Sequence, residues 1–263
     1  MIWRYLKLYK NFVRFSCSQT LMFQVDFWLR IIMDIVYCLT MLGLYQVLFL
    51  HTDHLGGFSK EQAFVFVGAF VFLDALQMTI FANGTFALGP SIRSGDLDYY
   101  LVRPVSTLFF VTLRDFSMSS LINLFFAAAI LIGALHQYSG TIAWWQYIYG
   151  TALLLNGVFL FYIFRILSAL PSFWTVSSRG TQSAFYVLRE IGERPDKIYT
   201  GVVRAAFMTV LPFCLMASIP TRVFFEPFQA ETLALIVVVT VTSFCLMLWL
   251  WKKGLNAYGS ASS

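Results

Sequence analysis

Charge is what this 263-residue sequence has least of: 12% of its residues are Asp, Glu, Lys or Arg, where a soluble domain carries about a quarter. A chain so poor in charge and 59% hydrophobic cannot clothe a globular surface in water. Its mean hydropathy of +0.73 places it in a bilayer. Cysteine is scarce as well. Cys17, Cys38, Cys214 and Cys245 stand far apart with no C-x-x-C spacing, which excludes a zinc ribbon or a disulfide scaffold and leaves small apolar fillers. No G-x-x-x-x-G-K-[ST] occurs, so the chain has no such loop to cradle ATP phosphates. G-x-S-x-G and H-E-x-x-H are absent too, and a membrane-embedded enzyme is the least supported class. One cluster has metal-ligand residue types, His51, Asp53 and His54. An exposed turn collects the same residues for solubility alone.

What is present is a series of long apolar runs separated by polar segments. Met1 to Asp26 carries Arg4, Lys7, Lys10 and Arg14 among aromatics at helical spacing. That pattern suits a helix lying in the interface beside anionic lipid, and it holds too many charges to span. Spans are expected at 27–50, 61–82, 116–135, 144–170, 205–219 and 232–251, each judged against a hydrocarbon core about 30 Å thick. The fifth carries Pro212, and the P-T-R-V-F-F-E-P-F-Q-A-E stretch after it is too broken to span and too apolar for a free loop, which suits a re-entrant hairpin. A polar tail, 252–263, ends the chain. The expected fold is all-α: an interface helix at 1–26, a six-span bundle over 27–251, and both termini inside, in a single membrane domain covering 1–263.

Orientation follows from the basic residues. With this assignment every one of the 18 Lys and Arg residues except Lys60 and Arg222 falls on the side of the termini, as the positive-inside rule asks of the cytoplasmic side. The net charge of +5 then has a membrane explanation, and nucleic acid is not an expected partner. Four charges fall inside spans: Arg30, Asp34, Asp74 and Arg165. Ionisable groups there are costly and pair or face a cavity. Asp34 and Asp74 are expected to face Arg165 or Arg30, as a structural pair or as the lining of an inner vestibule.

The stretch around which the chain is organised is Gly89 to Pro104, G-P-S-I-R-S-G-D-L-D-Y-Y-L-V-R-P. Ser94 or Asp96 can cap a short helix there, with Leu97, Tyr100 and Leu101 on one face. Pro104 stops it, leaving about two turns flanked by Arg93 and Arg103. As a plain interfacial loop it would merely join two spans. As a helix it is where a membrane chain meets a soluble partner.

The run Ser94 to Ser106, S-G-D-L-D-Y-Y-L-V-R-P-V-S, resembles the signature between spans two and three of type-2 ABC transporter permeases. It is most similar to a branch of bacterial export permeases with G-D-L-D-x-x-L-x-R-P. Ser172 to Thr175, Ile191 to Tyr199, Val210 to Phe213, Ser218 to Pro220 and the closing Tyr258 to Ser263 are similar to that branch as well. At Glu193-Arg194-Pro195-Asp196 the chain departs from it, since the branch more often has an aromatic before the proline and a small apolar residue after it. The resemblance implies a dimer, with itself or a sibling permease, each half docked on one of two soluble ATPase subunits that bind ATP and Mg. It implies export across a bacterial inner membrane. Carried over, Arg93, Gly95, Asp96, Leu97, Asp98, Tyr99, Tyr100, Leu101, Arg103 and Pro104 form the coupling helix that contacts the ATPase. Arg189, Glu190, Arg194 and Lys197 join the same surface from a second cytoplasmic loop. The chain itself would hold no cofactor and hydrolyse nothing. The alternative is a stand-alone channel or an ion-coupled secondary transporter using Asp34 and Asp74.

Overall fold

The computed structural model describes residues 2–20, 24–175, 179–227 and 229–258. Among them there is no strand, only an isolated bridge between Leu55 and Phe58 that closes the turn after the first span. Helix α1 (Ile2–Thr20) is the expected interface helix. Its aromatic side meets the start of the third span region, Tyr5 edge-on to Phe109 at 4.8 Å and Phe12 edge-on to Phe110 at 5.0 Å. Arg4, Lys7, Lys10 and Arg14 are exposed. The last residues of the expected 1–26 segment divide: 21–23 lie outside the described residues, and Gln24 already begins α2 (Gln24–Leu48).

Helix α3 runs Lys60–Ser94. Ser59 caps it in a reciprocal capping box with Gln62, which satisfies first-turn amides. At 35 residues it is about 52 Å long, so its last turns, which the sequence assigns to a loop, project beyond the hydrocarbon. Residues Met78–Ala82 form a π turn. The turn is locked from outside, because the Ser117 amide donates to the Thr79 carbonyl at 3.0 Å. One helical turn follows, α4 (Asp98–Leu101), then α5 (Thr107–Leu113), and α6 (Met118–Gln137), whose first amides Ser117 caps. Helix α7 (Trp144–Ala169) runs into a 3-10 turn, Leu170–Phe173.

The fifth crossing is made by a different segment from the expected one. Helix α8 (Arg179–Gly192) begins near the inner end of α7, where the Thr181 hydroxyl donates to the Ser168 carbonyl at 2.8 Å. It climbs past Phe161 and Phe86, which meet Phe185 and Tyr186. It then reaches the outer end of α2, where Tyr45 donates to the Glu193 carbonyl at 2.8 Å. Beyond it Pro195 and Ile198 lie against Gly56, and Lys197 against Gly57, in the outer turn. The stretch 172–204 is therefore no second cytoplasmic loop.

The expected fifth span, 205–219, belongs instead to an outer re-entrant hairpin. Helix α9 (Gly201–Thr209) descends and the segment Phe213–Arg222, ending in α10 (Ser218–Arg222), returns, with a bend of 66° between them. Its depth is set by contacts with α7. Phe213 meets Phe164 with ring centroids 6.1 Å apart, Met216 packs its carbonyl onto Gly157, and Phe224 covers Gly150. Gln146 at the outer end then donates to the Val223 and Glu226 carbonyls, each at 3.2 Å. Gly157 is required there, since a Cβ would collide with the Met216 carbonyl. Helix α11 (Ala230–Ala257) returns to the inner side. The expected tail is thus helical through Ala257, and Gly259 to Ser263 lie outside the described residues.

This arrangement moves Arg194, Lys197 and Arg204 to the outer end, with Arg189 inside the bundle. The count behind the positive-inside argument is correspondingly weaker. The bias survives, because the basic residues of α1, Arg93, Arg103, Arg114, Lys252 and Lys253 stay at the end where α1 and the 95–104 segment lie.

Candidate functional site

The segment Gly95 to Pro104 forms a knuckle on the inner end of the bundle. Gly95 ends α3 in the left-handed region, φ +83°, a conformation that costs glycine nothing. The chain then reverses, and the Leu97 amide returns to the Ser91 carbonyl at 3.2 Å. The expected side-chain cap does not form. Ser94 Oγ donates to the Asp96 carboxylate at 2.6 Å and to the Pro90 carbonyl at 3.1 Å, so both candidate caps are spent on each other. The helix is one turn, not two.

Its residues divide into base and tip. Leu97 is fully buried and Tyr100 is 8% exposed, within an inner apolar cluster that includes Leu88, Ile166, Leu170, Met247 and Trp251. The Tyr100 hydroxyl accepts from Arg114, whose guanidinium also stands over the Tyr100 ring at 5.0 Å. Leu101 does not share that face: it is exposed, as are Tyr99 and Val102, the last by 83%. Arg103 lies over Phe110 at 4.7 Å and donates to the Tyr99 carbonyl at 3.2 Å, which fixes its stem while the residue stays exposed. Arg93, Asp96 and Pro104 are exposed around this tip, and Gly95 and Asp98 are half-buried.

Three supports carry no signal in the loop itself. The Ser106 amide donates to the Tyr5 hydroxyl at 3.1 Å, tying the knuckle to α1. Phe110 is buried between Tyr100, Arg103 and Phe12. Tyr258, just past α11, stands beside Asp98; burial pushes its phenol up, and the Asp98 and Asp96 carboxylates push it further. The aromatic spacing of α1 and the Tyr258 tail were the available signals for the first and third.

Arg189, Glu190, Arg194 and Lys197 are not brought to this knuckle. Arg189 pairs with Asp74 inside the bundle and reaches Glu193 at 3.9 Å. Lys197 faces Glu226 at 3.5 Å at the outer end. Glu190 and Arg194 are exposed on α8 and just beyond it. Arg194 and Lys197 thus lie at the opposite end of the bundle from residues 93–104, with Arg189 between the two ends.

The four intramembrane charges also pair differently from expectation. Asp74 takes Arg189 and also accepts from Gln77 at 3.1 Å, without Arg165. Asp34 accepts from Asn123, and the Arg30 charge acts on it from one turn below. Asp34, Asp74 and Asn123 line a cavity of about 220 Å³ between α2, α3 and α6, together with Tyr37, Ser120 and mainly apolar side chains such as Met78 and Phe126. Arg165 is 3% exposed and enclosed by Phe86 at 3.8 Å, Tyr186 at 4.7 Å and Phe185 at 5.5 Å. At the outer turn the Thr52 hydroxyl donates to the His54 carbonyl at 2.9 Å. Among the described residues no three His, Cys, Asp or Glu side chains converge as a metal-binding group.

Comparison with curated proteins gives no match, and neither does comparison with solved structures. The family described as "ABC-2 family transporter protein" matches residues 35–262. That range holds the knuckle, all the long helices after α2 and the outer hairpin. With nearly the whole length matched, this multi-pass membrane chain belongs to the ABC-2 transporter membrane family.

Proposed function

We propose that the chain is the permease subunit of an ATP-driven exporter in a bacterial inner membrane. On this reading it works as a dimer of permease halves, with itself or a sibling chain, and is served by two copies of a separate ATPase subunit that hold ATP and Mg. The observation that carries it is the division of the knuckle: Leu97 and Tyr100 are rooted in the bundle while Tyr99, Leu101, Val102 and Arg103 stand free. A rooted base with an apolar, arginine-bearing tip suits a part that enters a cleft in a soluble partner and transmits a rigid-body push. Closure of the partner on ATP then biases the permease halves between inward-open and closed arrangements.

The path for cargo follows from α8. Its inner face, with Phe185, Arg189 and Gly192, packs into the bundle, while Ser183, Val187 and Glu190 form an exposed stripe at helical spacing, which Arg194 continues just past the helix end. Charged residues on a membrane-crossing helix do not face lipid. This stripe faces the second permease half and an aqueous path between the two.

A photo-crosslinking residue at Val102, compared with one at Val202 on the outer hairpin, tests the docking side. Capture of a Walker-A-bearing protein from Val102 alone supports the proposal. Capture from neither, with the purified chain moving ions unaided in liposomes, would put the stand-alone channel in its place.

A further inference from the structure

A small cavity lies between α3, α7 and α8, lined by Gln77, Met78, Phe86, Phe161, Arg165, Phe185, Tyr186 and Arg189, with room of about 10 Å³. That is space for one water-sized particle. The polar atoms around it are nearly all donors. Both terminal nitrogens of Arg165, the Tyr186 hydroxyl and Nε of Arg189 are buried and have no hydrogen-bond partner among the described residues. The Tyr186 hydroxyl stands close to Arg165 but outside hydrogen-bonding geometry.

Buried donors in native proteins are nearly always satisfied, and a group of orphans at one place requires an explanation. The charge here requires one too. Arg189 is matched by Asp74, which meets it by a salt bridge and itself lines the neighbouring cavity. Arg165 lies among aromatic faces and beside the Tyr186 hydroxyl, and its two terminal nitrogens make no hydrogen bond among the described residues. No carboxylate lines the cavity. A water molecule can place its two protons on the Gln77 amide and the Tyr186 oxygen, but it accepts only two hydrogen bonds, fewer than the four orphaned atoms around the cavity can donate. A monatomic anion accepts from several donors at once and donates none.

We propose that this cavity binds a single halide-sized anion, coordinated by Arg165, Tyr186 and Arg189, which pins α8 to α7. The site lies on the inner half of the bundle, near the Thr181–Ser168 contact, and does not depend on the transport reading.

The test is thermal unfolding of the purified full-length chain while gluconate is exchanged stepwise for bromide at constant sodium. A ligand that binds the folded state raises the midpoint with the logarithm of its concentration above its dissociation constant, whereas a bulk salt effect of so weakly hydrated an ion would not stabilise. The expected result is a logarithmic rise in wild type, a rise that sets in at several-fold higher bromide in Tyr186→Phe, and no rise in Arg165→Met. A flat or falling response in wild type means a water only and overturns the proposal. So does an unchanged response in Arg165→Met. If that variant does not fold, wild type and Tyr186→Phe decide it, because a rise that sets in at the same bromide concentration in the two contradicts the assignment.

Discussion

Arg222 donates from Nε to Oδ1 of Asp196 at 2.6 Å, and the two side chains are 5% and 0% exposed. The same carboxylate accepts from Ser218 at 2.8 Å and from Arg204 at 2.6 Å, while Arg222 continues to the Gly56 carbonyl at 2.7 Å. One carboxylate thus joins the end of the fifth crossing to both arms of the outer hairpin and, through Arg222, to the turn between the first two spans.

Asp196→Asn removes the buried counter-charge of Arg222 and leaves it only the exposed Glu226 carboxylate at 3.3 Å, and breaking such a buried pair costs up to about 3–5 kcal/mol. A clear fall in the thermal midpoint checks it. Burial alone would raise the Asp196 carboxyl, but the Arg222 charge and the hydrogen bonds from Arg222, Ser218 and Arg204 outweigh it and hold it below its ordinary 3.8. A carboxyl lowered on folding stabilises at pH above its unfolded value, and that contribution is lost as pH falls through the folded value. Wild type should therefore lose stability in acid below about pH 3.8 through this group, and Asp196→Asn should lack that part of the decline. An acid limb of the same size in both would contradict the assignment.

Base and tip of the knuckle make opposite predictions. Leu97→Ala empties a fully buried site and should cost about 2–5 kcal/mol of stability. Val102→Ala, at 83% exposure, should leave stability within about 0.5 kcal/mol while weakening capture of the soluble partner. Paired unfolding and pull-down measurements separate the two effects.

For the pair inside the bundle, Asp74→Asn should destabilise by up to about 3–5 kcal/mol, because Arg189 keeps its charge with only the Glu193 carboxylate at 3.9 Å left to it. The double variant Asp74→Asn/Arg189→Met should recover at least half of that loss, read as the coupling in a double-mutant cycle. Additive losses would mean that the two side chains act separately.

The outer hairpin was expected over 220–231 and is formed by residues 201–222 instead, whereas the long apolar helices were legible because hydropathy over about 20 residues is a strong signal. The fifth crossing was not. Arg179, Gln182, Arg189 and Glu190 make α8 look like a loop, and only the fold reveals that Arg189 finds Asp74, more than a hundred residues earlier, and that Glu193 finds Tyr37 at 3.1 Å. Hydropathy penalises a charge whether or not it is neutralised. The knuckle was legible as a segment from Gly95 and Pro104, but its orientation was not. Whether Leu97 or Leu101 turns inward depends on the apolar seat that Ile166, Met247 and Trp251 bring from distant helices.

The measurement that tests the account most directly is affinity purification of the full chain in mild detergent, with ATP hydrolysis assayed on what is recovered. Wild type is compared with Tyr99→Ala/Val102→Ala/Arg103→Ala, a variant that leaves the buried base untouched. The account predicts that wild type brings down a Walker-A-bearing subunit with ATPase activity, and that the variant, equally stable, loses both. A wild-type chain that purifies alone without ATPase activity, or a variant that retains its partner in full, contradicts it.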